Sequence, residues 1–195
     1  MNQSFMQYNE ESAKKAGGGE GLSEGGAYIC EITSAKYTSA STGTHGIEFE
    51  IKTVDGLTGK YITAYYAKAN NEPIKSGQNI LNAMMGVLNI PALSFASRAV
   101  GMETVNVVPE LEGKTVGLFL QKKLFTKNDG KEGYSFSIRT PFNPVDSKTL
   151  KEIAENKPAQ AIERMSNSYK DLDERQSNTQ QQLAPDYGDN YTPAY

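Results

Sequence analysis

A mainly β fold with one inserted helix is predicted by three observations: polar and apolar residues alternate in five segments, the clearest helical period falls between the third and fourth, and turn residues punctuate the gaps. In the first segment, from Ala27 to Lys36, residues Tyr28, Cys30 and Ile32 share one parity. The second, from Thr44 to Val54, repeats the pattern with Ile47, Phe49 and Ile51. Between them Thr38-Ser39-Ala40-Ser41-Thr42-Gly43 reads as a loop, so the two segments form a hairpin with one buried face. Asp55-Gly56 signals the next turn, which Leu57-Thr58-Gly59 lengthens before a third strand from Lys60 to Lys68.

The period then changes. Ile80, Leu81, Met84, Met85, Val87 and Leu88 recur at helical spacing behind Ser76, an expected N-cap, and the helix stops near Asn89 ahead of Pro91. Residues 92 to 111 have no clean period. Strand character returns from Lys114 to Phe125, Asn128-Asp129-Gly130 supplies a turn, and Tyr134, Phe136 and Ile138 mark the last strand before Pro141 and Pro144. Strand, strand, strand, helix, strand, strand is the element order of the five-stranded, partly open Greek-key barrel called the OB-fold, which commonly binds oligonucleotides or oligosaccharides. Asp146-Ser147 is expected to cap a helix through Ala154, and a second helical stretch runs from Pro158 to about Tyr169. The expected organisation is a flexible lead-in over 1–25, the barrel over 26–145, a helical appendage over 146–175 and a disordered acidic tail over 176–195. A barrel of this size buries about two-thirds of its unfolded surface without disulfides or metal.

Charge is distributed unevenly. From Asp171 onward five acids face one Arg175, for −4; the first 24 residues carry −2; the whole chain is −3, which leaves +3 for residues 25–170. A sequence pI of about 5.3 therefore describes the ends, and the folded face sets the field a ligand meets. No run of eighteen apolar residues exists, so no membrane span is expected, and the glycine-rich stretch from Gly17 to Gly26 is not a signal peptide. Cys30 is the only cysteine, which points to a reducing compartment with no disulfide framework.

Catalytic chemistry has little to work with. His45 is the single histidine and has no partner at a recognisable spacing, and Cys30 sits on the buried parity, where a thiol is inert. Glu48 and Glu50 alternate with core residues and read as solvated strand charges, and the glycine run lacks the Lys-Ser/Thr of a phosphate-cradling loop. No cofactor and no metal are expected, and an enzyme is the least favoured class.

The positive signal is cations interleaved with rings. Between Gly113 and Thr140 the bases Lys114, Lys122, Lys123, Lys127, Lys131 and Arg139 outweigh Asp129 and Glu132, so this hairpin carries +4. Phe119, Lys123 and Phe125 lie on the parity opposite the core, with Arg139 on the last strand. In the third strand Tyr61 and Tyr65 oppose Ile62 and Ala64, with Lys60 and Lys68 at the ends. Exposed rings on which any base stacks, with cations tracking the backbone, are what non-specific single-strand binding requires. The chain has no Trp, so Tyr and Phe would serve, and no motif for reading a double helix is present.

Gly26-Ala27-Tyr28-Ile29-Cys30-Glu31-Ile32-Thr33-Ser34-Ala35, Gly46-Ile47-Glu48-Phe49-Glu50-Ile51, Asp55-Gly56 and Lys60-Tyr61-Ile62, followed by Ile80-Leu81-Asn82-Ala83-Met84-Met85 and Leu111-Glu112-Gly113-Lys114, resemble phage-encoded OB-fold single-stranded DNA-binding proteins over roughly residues 20–144. The resemblance implies a non-enzymatic protein that coats single-stranded DNA during phage DNA replication or recombination in the bacterial host cytoplasm. The tail looks like those through which such proteins dock replication or recombination partners, and Asp186, Asp189, Tyr191 and Tyr195 are its candidate contacts. It departs from them in having two acids in its last ten residues and Tyr195 where a Phe is usual. The alternative is an OB-type protein–protein adaptor in a phage replication or virion assembly, with the rings as interface residues.

Overall fold

A computed structural model describes residues 20–175. The first three strands, β1 (Gly26–Ser39), β2 (His45–Thr53) and β3 (Thr58–Ala67), form the antiparallel meander that alternation predicts. Cys30, Ile32 and Ala35 of β1 are buried, and the switch from even to odd positions has a cause: the register slips between Ile32 and Ser34, a bulge that keeps the apolar side inward as the strand bends. Ile47, Phe49 and Ile51 of β2 complete this wall of the core. Gly56 takes a positive φ of 89° in the turn, and Leu57 N–H donates to Thr53 Oγ1 at 3.0 Å.

Helix α1 (Lys75–Leu88) buries Leu81, Met84 and Val87. Its N-cap is Ile74, with no side-chain cap, so the expected capping by Ser76 is corrected: Ser76 lies within the first turn. Asn89 ends the helix in the left-handed region at φ 54°, and the Asn89 and Ile90 N–H groups return to the Gly86 and Met85 carbonyls. The unreadable stretch is a hairpin, β4 (Ala96–Val100) and β5 (Glu103–Val107), tied to β1 by the pairing of Lys36 with Val107. All of β4 faces solvent, so no buried side imposes a period. Val107, Val108 and Leu111 return the chain to the core.

β6 (Thr115–Thr126) and β7 (Glu132–Phe142) form a long hairpin, and β6 pairs through Thr115–Leu120 with the N-terminal part of β1. The main strand order is therefore β3-β2-β1-β6-β7. The fold is mainly β and antiparallel. No pairing joins β3 to β7 among the described residues, so the sheet is not closed, and Ser76 and Ile80 of α1 reach the seam left between those strands. Gly77 permits this approach, since a Cβ there would stand 1.7 Å from the Tyr65 carbonyl oxygen.

The appendage contains α2 (Leu150–Ala154), α3 (Ala161–Asn167) and a two-residue strand, β8 (Leu172–Asp173), parallel to β6. Thr149, rather than Asp146-Ser147, caps α2 in a reciprocal box with Glu152. Glu152 is buried and its carboxylate also accepts from the Gln160 and Ala161 N–H groups at 2.8 and 2.7 Å, which fastens the start of α3 to α2. Burial alone would push this carboxyl up, but those N–H donors and Thr149 hold it down at about 2. Ile162 of α3 covers Phe119 and Phe142, making a second small core with Ile29, Met165 and Tyr169 at its edge. None of the described helices is long and apolar enough to cross a membrane.

Candidate nucleic-acid interface

A bulge builds one exposed part of the site. Phe49 pairs with Ile62 and Ile51 with Gly59, so Lys60 and Tyr61 both stand opposite Glu50. Strict alternation would turn one of the two inward; the bulge sends both out, with Tyr61 held at φ 60° and its side chain 72% exposed. Tyr65, four residues on, is 40% exposed, whereas Ile62 and Ala64 between them are buried.

Three adjoining recesses follow the open seam between β3 and β7. The first, about 330 Å³, is lined by Leu22, Lys60, Tyr61, Tyr134 and Ser135 among others. The second, about 500 Å³, shares Tyr61 and Ser135 and adds Tyr65, Ser76, Lys123 and Ser137. The third, about 980 Å³, shares Ser76, Lys123 and Ser137 and adds Arg139, Lys151, Lys170 and one acid, Asp171. A path thus runs from Lys60 to Lys151, with rings at one end and cations along its length.

The expected residues divide. Lys60, Tyr61, Tyr65, Lys123 and Arg139 line this path. Phe119 does not: it lies opposite the main core, as its parity predicts, but is only 2% exposed because α3 covers that side. It is a packing residue, and the expectation that it offers a stacking surface is corrected. Lys122 is also turned away from solvent, its ammonium 3.3 Å from Glu24, 3.8 Å from Asp171 and 5.3 Å from the Tyr134 ring centre. Phe125 is half-buried against Gly133, and Lys127 and Lys131 flank the exposed β6–β7 turn, where Lys131 pairs with Asp129 at 3.4 Å. Lys68 pairs with Glu72 at 2.8 Å beyond the end of β3. Asp186, Asp189, Tyr191 and Tyr195 lie outside the described residues.

Tyr134, Lys151 and Lys170 are site residues that sequence reasoning missed. Alternation assigns Tyr134 to the core side with Phe136 and Ile138, yet it is 48% exposed because it sits near the turn end of β7, past the layer that Phe136 closes. Its hydroxyl donates to the Leu22 carbonyl at 3.1 Å. A tyrosine close to a strand end, where a polar tip can reach a partner, is the signal that could have found it. Lys151 and Lys170 come from the appendage, whose docking no local pattern encodes.

Other reactive side chains are held in packing roles. Cys30 is buried, its thiol pushed up to about 12 by burial, with Sγ directed at the Val116 carbonyl. His45 shares a 2.7 Å hydrogen bond with the Tyr37 hydroxyl and stacks on Tyr66. Glu48 pairs with Lys36 at 2.9 Å, and that hydrogen bond raises the lysine's pKa against the opposing effect of burial. No protein-family model matches the chain, and no curated protein matches it.

Proposed function

We propose that this chain is a single-stranded DNA-binding protein of OB type, in which β1, β2, β3, β6 and β7 correspond to the five barrel strands and β4–β5 is an inserted hairpin. The strand follows the seam between β3 and β7, bases stacking on Tyr61, Tyr65 and Tyr134 while Lys60, Lys123, Arg139, Lys151 and Lys170 track phosphates. The observation that carries this reading is the β3 bulge, which presents a cation and a ring side by side at a backbone angle that costs energy to hold. Together with the resemblance, it supports a non-enzymatic role in coating single strands during phage replication or recombination. Titration of fluorescent dT oligomers at several salt concentrations tests it: binding with little sequence preference is expected, and no binding at low salt would refute it.

A second reading, an OB-type adaptor, is favoured by β4–β5 alone. This hairpin exposes Val100 and fully exposes Met102 at its tip, an apolar surface suited to a protein partner. The oligomer titration separates the two readings, because an adaptor leaves dT strands unbound.

A further inference from the structure

The first recess differs from the other two. It alone has a tyrosine from each side of the seam, Tyr61 on β3 and Tyr134 on β7, whereas the second draws Tyr61 and Tyr65 from one strand and the third has no ring. At about 330 Å³ it lies at the low end of the roughly 300–1,000 Å³ of small-ligand sites.

Its surroundings are fixed before any ligand arrives. Leu22 is held by its N–H donating to the Thr58 carbonyl at 2.8 Å, and Thr58 N–H donates to the Glu20 carbonyl at 2.9 Å. Tyr134 is anchored through its hydroxyl to Leu22, meets Phe136 edge-on at 5.6 Å and has the Lys122 ammonium near its ring. The bulge sets the backbone of Tyr61. Little rotamer freedom therefore remains to be lost on Tyr134 when a flat ligand enters. Ser135 and the cation Lys60 are among its lining residues.

On the single-stranded DNA reading, we infer that this recess is a single-nucleotide pocket: one base of the bound strand leaves the stack and inserts between Tyr61 and Tyr134, with its phosphate on Lys60 and a base edge within reach of Ser135. The other bases lie along the wider recesses, where no tyrosine of β7 faces those of β3.

The test combines photocrosslinking with variants of the full chain. A dT oligomer carrying 5-iododeoxyuridine is irradiated with the protein and the adducts are mapped by mass spectrometry; adducts at both Tyr134 and Tyr61 are expected. Tyr134→Leu should weaken dT binding roughly ten- to a hundredfold and abolish the Tyr61 adduct, while Tyr134→Phe keeps both. Tyr61→Gly should produce a comparable loss from the other wall without unfolding. Wild-type binding with adducts only outside this recess, or Tyr134→Leu binding as wild type, overturns the pocket and leaves single-strand binding standing. A wild-type chain that binds no dT oligomer overturns both.

Discussion

Tyr61 shows how one residue can be held against its own conformational preference. A left-handed backbone costs an L-residue about 1–2 kcal/mol, and glycine removes that cost while adding about 0.5–1 kcal/mol of chain entropy. Tyr61→Gly is therefore expected to leave thermal stability unchanged or slightly raised while weakening dT binding by about 1–3 kcal/mol, with the salt slope unaltered, as paired melting and titration curves will show. Phe119→Ala should do the reverse, costing about 3–5 kcal/mol of stability by opening a cavity under α3. A folded Phe119→Ala protein binds dT as wild type on this account. These two rings carried the same signal in the sequence. Parity placed both away from the main core, but parity names a side of a strand and does not say whether a helix much later in the chain will cover it.

At the scale of elements, the appendage is an electrostatic latch as well as a cover. Glu152 has its pKa lowered by the donors at the start of α3, so its stabilisation is fully present above the ordinary glutamate range and is lost as pH falls toward about 2. Glu152→Gln should cost about 1–3 kcal/mol at neutral pH and remove this acid-range loss, as melting curves collected across pH will show. Next to the latch, β8 brings Asp171 to Lys122 and Glu174 to Lys123, at 3.8 and 3.7 Å. On the single-stranded DNA reading, these two acids compete with phosphates for the lysines. Asp171→Asn with Glu174→Gln should tighten dT binding, more at low salt than at high, because the contacts removed are themselves screened. The strands and α1 were legible because each has a buried side that enforces a period. The β4–β5 hairpin was not, since β4 touches no core, and the capping residues slipped because Ser76 and Asp146-Ser147 match the composition of a cap without its geometry.

For the whole molecule, the sign of the net charge misleads. The chain carries −3, yet the open seam gathers Lys60, Lys123, Arg139, Lys151 and Lys170 against Asp171. Summed composition could not show this, because two of those lysines come from a segment that only the tertiary fold brings to β6 and β7. The order of strands around one helix was readable along the chain; whether β3 meets β7 was not, since the longest-range pairing leaves no local signature. Under the proposed function, this seam holds a single strand by counterion release and stacking. The most direct measurement is the affinity for dT oligomers as a function of salt. If about five cations contact phosphates, log affinity should fall against log salt with a slope near −3.5, at about −0.7 per phosphate, and dT should bind more tightly than duplex. A flat salt response, or a preference for duplex, would contradict it.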